Sequence, residues 1–242
     1  TQPSGATLQA VLRGDERGHW WQTLDGQVIA QDARTGSWLR SSRPVATAAA
    51  SARRRAALPP QRIPTSGTNN IAVLCVNFSD TTTTYAPADF NTLLFSGARS
   101  MKAYYTEVSG GKFTVGPGPG GVGGWYTAPN THDYYGQNGA GGDMHLAELV
   151  IDTIKAADAA GFNFAPYDQD KDGYVDSVSV IHQGAGEEAG AGDNNIWSSS
   201  WDLNSAQALG DGTGEVTTND GVKVNSFIVQ PEHQYPGTAL VT

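Results

Sequence analysis

The spacing of hydrophobic positions changes along the chain, and the changes divide it. Residues 8–43 carry short alternating runs. Within them Gln22-Thr23-Leu24-Asp25-Gly26-Gln27-Val28-Ile29 sets an Asp-Gly pair between strand-like flanks, which predicts a hairpin because those two residues take the positive φ a tight turn demands. Trp20, Trp21 and Trp38 are read as the aromatic core of this small β unit. From Val45 to Asn70 the composition shifts to Ala, Arg, Ser, Pro and Thr, as in a linker, with one short Ala-rich helix expected to end before Pro59. The expected organisation is a β-rich segment at 1–45, a linker at 46–70 and a body at 71–242.

In the body, Ile71-Ala72-Val73-Leu74-Cys75-Val76-Asn77-Phe78 is nearly continuous in apolar residues, the pattern of a central strand covered on both faces. Met101, Tyr104, Tyr105 and Val108 recur at helical spacing, with Ser100 to cap the start and Gly110-Gly111 to stop it. Phe113-Thr114-Val115 and Trp125-Tyr126-Thr127 read as short strands around a Gly- and Pro-rich loop at 116–124. A longer helix is predicted to open at Asp143, with Leu146, Leu149, Val150, Ile154 and Ala157 as its apolar stripe and Gly161 after its end. Strands follow at 177–182 and 222–229, the second after a turn at Asn219-Asp220-Gly221. Strands and helices in alternation predict an α/β (α+β) fold, a mixed twisted sheet backed by helix.

Composition narrows the class. The 242 residues hold 30 glycines and carry a formal net charge of −9, which argues against nucleic acid as a partner. No apolar run is long enough to cross a membrane as a helix. Cys75 is the single cysteine, so no disulfide forms within the chain, and its place in an apolar run reads as a buried, inert thiol. The charge is unevenly spread. Residues 1–64 hold nine Arg against four acids, a net +5, which leaves six Lys or Arg against twenty acids, a net −14, for residues 65–242. Opposite fields of that kind favour docking of a basic head on an acidic body. Arg53-Arg54-Arg55 lies in the linker and is either a processing site for trypsin-like proteases or a solvated charge run.

The candidate chemistry is concentrated in Asp168-Gln169-Asp170-Lys171-Asp172-Gly173-Tyr174-Val175-Asp176. Carboxylates at every second position, with glycine after the third, can turn hard oxygens inward around one cation while the glycine takes the bend. Oxygen-only ligation in this number points to calcium rather than zinc, copper or magnesium. Asp168, Asp170, Asp172 and Asp176 would supply carboxylates and Tyr174 its carbonyl. In the place of the usual bidentate Glu stands Ser179, so the loop is not expected to be half of a paired EF-hand. A solvated acidic turn is the alternative, and mutual repulsion of four acids without a cation weighs against it.

Other chemistry is sparse. There is no Gly-x-Ser-x-Gly elbow, no phosphate-binding Gly-x-x-x-x-Gly-Lys loop and no His-Glu-x-x-His. His19, His132, His145, His182 and His233 include no pair four residues apart, the spacing that sets two imidazoles on one helical face. His182 is read as a hydrogen-bonded histidine at a strand end, with a place near a cleft as the sharper alternative. Glu187 and Glu188 are read as solvated loop residues, with acid/base work or extra calcium ligation as alternatives.

Several segments in order resemble the secreted zinc metallopeptidases similar to immune inhibitor A. They are Arg13-Gly14-Asp15-Glu16 with His19-Trp20, Asp25-Gly26, Gly36 and Trp38; Val76-Asn77-Phe78-Ser79-Asp80; Tyr104 to Phe113; Asp168 to Asp176; His182-Gln183-Gly184; Ile196-Trp197 with Trp201; and Gln230-Pro231-Glu232. The resemblance implies a zincin-like body that acts on proteins or peptides, an extracellular location, and a pro-segment in residues 1 to about 64 that docks on the body. By analogy the strand at 222–229 would border the substrate cleft and pair with an extended peptide substrate. It also implies that a helix carrying His-Glu-x-x-His follows Thr242, so that the zinc ligands and the general base lie outside these residues. The chain as given is then expected to be inactive. A non-enzymatic, calcium-stabilised extracellular binding module is the alternative, separated from the first by the sequence beyond Thr242.

Overall fold

Alternation in the head produces four short strands, β1 (Ala10–Asp15), β2 (Gly18–Thr23), β3 (Val28–Gln31) and β4 (Trp38–Arg40), paired antiparallel in sequence order. The predicted hairpin joins β2 to β3, with Trp21 opposite Ile29 and Gln22 opposite Val28. Thr23 closes its turn, donating from its amide to the Gln27 carbonyl at 2.9 Å and accepting the Gln27 amide on its hydroxyl at 3.0 Å. Trp21 and Trp38 meet edge to face at 5.7 Å, the geometry favoured by the aromatic quadrupole. The computed structural model describes residues 7–15, 18–25, 27–32, 35, 37–40, 65–139, 142–192 and 194–235. The side chain of Trp20, the linker helix, Arg53-Arg54-Arg55 and Gly237 to Thr242 lie outside them. The chain divides into two units, one drawing on Thr1–Pro59 with Gly139–Gly142, the other on Pro60–Asn138 with Asp143–Thr242.

The second unit begins with β5 (Gly67–Asn70) and β6 (Ala72–Asn77). Residues Ala72 to Val76 have no exposed surface, and the two faces of β6 enter different cores. Ala72, Leu74 and Val76 join the larger one. Val73 and Cys75 join a smaller one with Phe90, Phe95, Val115 and Ile181. Burial on both faces explains the unbroken apolar run. Next come α1 (Pro87–Asn91), continued by a π-helical turn at Thr92–Ser96, and α2 (Met101–Val108). The Ser100 hydroxyl caps α2 as expected, accepting from the Ala103 amide at 3.2 Å. Its apolar spacing does not translate into burial, however: Tyr104 and Val108 are each 62% exposed. The helix lies on the short strand β7 (Phe113–Gly116), bonded through Thr106 to Thr114 at 2.8 Å, so only Met101 reaches the core.

Strand β7 pairs with β5, outside the main sheet. The chain then runs through β8 (Val122–Thr127), α3 (His132–Tyr135), α4 (Leu146–Ala159), β9 (Val178–Ala185), β10 (Ser199–Asp202), α5 (Leu203–Gln207), β11 (Val216–Thr217), β12 (Lys223–Val224) and β13 (Ser226–His233). The main sheet has the order β10-β13-β9-β6-β8. The four strands from β13 to β8 are parallel and β10 is an antiparallel edge. Helix α4 backs β6 and β8, burying Leu146, Leu149, Val150, Ile154 and Ala157. This is the expected mixed α+β sheet with helical backing.

Several boundaries differ from expectation. Helix α4 opens at Leu146 rather than Asp143, because the Asp143 carboxylate accepts the Trp197 amide at 2.9 Å. The strand predicted at 222–229 is two strands broken at Asn225, whose carbonyl accepts the Leu203 amide at 2.9 Å and whose side-chain oxygen accepts the Asn204 amide at 3.0 Å. Its second part runs on to His233 between β9 and β10. Residues Phe227 to Val229 are therefore paired on both sides and cannot also pair with an extended peptide.

Candidate metal centre

The Asp168–Asp176 segment lies between α4 and β9, entered through a single 3-10 turn at Ala165–Tyr167. Asp168, Asp170 and Asp176 bring one carboxylate oxygen each within 4.8 Å of one another. Asp168 and Asp176 are buried, at 5% and 7% exposure, while Asp170 faces solvent. Gly173 takes φ of 92°, the left-handed bend that the sequence pattern assigns to that position. The predicted Asp172 lies outside the group of three: its Oδ1 accepts the Tyr174 amide at 2.8 Å. Tyr174 is held beside Lys223 of β12, as the Val175 amide donates to the Lys223 carbonyl at 2.8 Å and the Lys223 amide to the Gly173 carbonyl at 2.9 Å.

Backbone donors converge on the same carboxylates. The Asp172 amide reaches Asp168 Oδ1 at 3.1 Å and Asp170 Oδ1 at 3.2 Å, and the Gly173 amide reaches Asp168 Oδ2 at 3.2 Å. Asp176 Oδ2 accepts from the Gln169 amide at 3.3 Å and from Gln169 Nε2 at 3.0 Å. Burial raises the Asp176 pKa, the Gln169 bonds lower it, and the charges of Asp170 and Asp168 raise it further. Three hard oxygen donors of like charge, two of them withdrawn from water, are a donor set suited to calcium.

A second group of titratable residues gathers toward the carboxyl ends of the parallel strands. His182 on β9 has no exposed surface. Its Nδ1 lies 2.9 Å from the Gln183 carbonyl oxygen, and its Nε2 has no hydrogen-bond partner among the described residues. Burial, and then the nearby His132 and His233, hold its pKa down to about 3, so the ring is neutral. The hydrogen-bonded reading of His182 describes it, except that β9 continues past it to Ala185. Glu232 on β13 is also fully buried. Its Oε1 accepts the amides of Thr84 at 2.6 Å and Tyr85 at 2.7 Å, and its Oε2 accepts the Gly184 amide at 3.2 Å. His233 Nε2 stands 3.5 Å from Glu232 Oε2.

Glu187 is buried and Glu188 is more exposed. Glu187 Oε2 accepts from Asn138 Nδ2 at 2.8 Å, and Glu188 Oε1 from the Ser198 hydroxyl at 2.5 Å. Neither joins the three aspartates. Beside them the Asp143 pKa is raised to about 7, by burial first and then by the charges of Glu187, Glu188 and Asp211. Cys75 is buried, and burial pushes its thiol well above the usual range, so it is no nucleophile.

Zinc does not fit the described residues. Among them the three aspartates are the single group of three or more potential ligands brought close enough to share an ion. Their all-carboxylate chemistry is not the nitrogen or sulfur set zinc prefers, and His132, His182 and His233 do not converge. Sequence reasoning found the aspartates from their spacing. It missed Gln169, Asp143 and Glu232, whose partners lie far along the chain and leave no local signal.

Residues 82–239 match the family of immune inhibitor A peptidase M6, catalytic domain. That is well over half of the chain, and the chain belongs to this family of metallopeptidases, with a zincin-like fold. It is 32% identical over 160 residues to an immune inhibitor A of Bacillus thuringiensis subsp. alesti, covering 57% of this chain and 23% of that protein. It is also 32% identical over 148 residues to the pre-pro-metalloprotease PrtV of Vibrio cholerae serotype O1, covering 49% of this chain and 16% of that protein. The chain thus spans less than a quarter of the length of these relatives. Among the described residues no helix is long and apolar enough to cross a membrane.

Proposed function

We propose that this chain forms part of a secreted, zinc-dependent metalloendopeptidase that cleaves proteins or peptides, and that these residues supply its sheet and a structural calcium site rather than its catalytic metal. Family membership carries the reading. No His-Glu-x-x-His occurs in the sequence and no described residues suit zinc, so the 242-residue chain alone should hydrolyse nothing. Calcium is held by Asp168, Asp170 and Asp176, with Asp172 and the Tyr174 carbonyl completing the set as the ion binds. Its role is stability: an ion that binds only the folded state adds RT ln(1 + [L]/Kd).

Residues 1 to about 64 serve as a pro-segment, docked through their positive charge on the negative body and released by cleavage near Arg53-Arg54-Arg55. Trypsin treatment of the whole protein, with casein hydrolysis followed beside the cut site, tests this. A cut between residues 53 and 70 with no gain in activity counts against latency. Whole protein that digests no casein, with zinc supplied, points instead to a calcium-stabilised binding module.

A further inference from the structure

The calcium loop touches a distant strand through one side chain. Gln169 sits between two of the three clustered aspartates in sequence, yet its amide group turns away from solvent to β5, about a hundred residues upstream. Gln169 Nε2 donates to Asn69 Oδ1 at 2.8 Å and lies 3.4 Å from the Asn70 carbonyl oxygen, while Gln169 Oε1 accepts the Asn70 amide at 3.1 Å. The same Nε2 also donates to Asp176 Oδ2 at 3.0 Å. Asn69 is only 2% exposed, so water offers its side chain little in exchange. Residue for residue, Gln169 replaces the backbone partner that a neighbouring strand would have given Asn70.

We infer that Gln169 couples cation binding at Asp168, Asp170 and Asp176 to the order of strand β5, so that calcium tightens Gly67–Asn70 and loosening of β5 weakens calcium binding. The inference rests on the calcium reading of the loop. Like charges held within 4.8 Å separate when no cation offsets them. Asp176 cannot move without pulling on Gln169, and Gln169 cannot move without surrendering its bonds to Asn69 and Asn70. The strand at the other end is weakly held: among the described residues it has a single partner strand, β7, over four residue pairs. It leads through Ile71, whose amide bonds the Gly116 carbonyl at 2.9 Å, straight into the central strand β6. Coupling between two sites is reciprocal, so a change on β5 must be felt at the ion.

Calorimetric calcium titration of the whole protein and of its Asn69→Ala variant, joined to amide hydrogen exchange of residues 67–70 with calcium and with chelator, tests the coupling. Calcium should slow exchange in β5 by about tenfold, and Asn69→Ala, which touches no ligand, should weaken calcium affinity by about fivefold or more. Gln169→Ala should abolish the calcium effect on β5 exchange. Calcium binding that leaves β5 exchange in the unaltered protein unchanged overturns the coupling and leaves the site standing. A protein that takes up no calcium at the loop overturns the site and the coupling together. The exchange arm needs no variant, so it holds even where Asn69→Ala fails to fold.

Discussion

Asp211 caps a helix whose second residue lies sixty-four positions before it: its Oδ2 accepts the Ala147 amide at 2.7 Å and its Oδ1 the Glu148 amide at 3.2 Å. The first turn of α4 has no side-chain cap of its own, since His145 stands at the cap position without such a bond. The carboxylate also meets the positive end of the helix dipole. Asp211→Ala should cost about 1–2 kcal/mol in urea unfolding, the usual worth of a cap. Asp211→Asn keeps one acceptor and should cost less than half as much. Equal stability of Asp211→Ala and the parent would deny the cap any role.

Asp143 places a pH-dependent penalty beside that helix. Its pKa rises on folding from 3.8 to about 7, so between those values the folded chain holds a proton that the unfolded chain has lost. Stability therefore falls as pH rises from about 4 to about 7 and stays flat above. Asp143→Asn leaves an oxygen for the Trp197 amide and removes the charge that faces Glu187 and Glu188. It should be more stable than the parent at pH 8, on the order of 2–4 kcal/mol at most, with the gain gone at pH 4. Thermal melts at those two pH values decide the matter.

His182 pulls in the other direction. Its pKa drops on folding from 6.5 to about 3, so below about 6.5 the unfolded chain takes up a proton that the folded one refuses. Stability is lost as pH falls through that window. The two slopes oppose each other between about pH 4 and 6.5, and the parent should show a shallower profile than either single variant. His182→Phe keeps the ring and gives up the contact with the Gln183 carbonyl. It should lose stability at pH 7, by about 1 kcal/mol for the hydrogen bond, yet recover relative to the parent at pH 4. A parallel loss at both values would show that His182 is not neutral in the fold.

Legibility in the sequence followed distance along the chain. Strand β6, helix α4, the β2–β3 hairpin and the three clustered aspartates were readable because their causes are local: a run, a stripe, an Asp-Gly pair, a two-residue period. The face of α2 misled, because spacing tells which residues share a side but not whether anything lies against it. Nothing near Asn225 marks it as a break, since its carbonyl and side chain are occupied by Leu203 and Asn204. The buried Glu232 likewise draws its donors from Thr84, Tyr85 and Gly184. Such partners are invisible until the fold brings them together.

Gly120 and Gly110 are glycines for two different reasons. A Cβ on Gly120 would come within 2.7 Å of Phe162 Cε2 and 2.8 Å of the Tyr167 hydroxyl, whereas one on Gly110 would meet nothing within 4 Å. Gly120 is thus required by packing, and its amide donates to that same Tyr167 hydroxyl at 3.1 Å. Gly110, at φ of 61°, is required by backbone conformation alone. Gly110→Ala should cost about 1 kcal/mol, the left-handed penalty of a side chain. Gly120→Ala must displace two buried rings of the larger core and should cost about 1–3 kcal/mol. Phe162→Leu, destabilising by itself, should reduce the further cost of Gly120→Ala when the two are combined. Strict additivity in that double-mutant cycle would place the clash elsewhere.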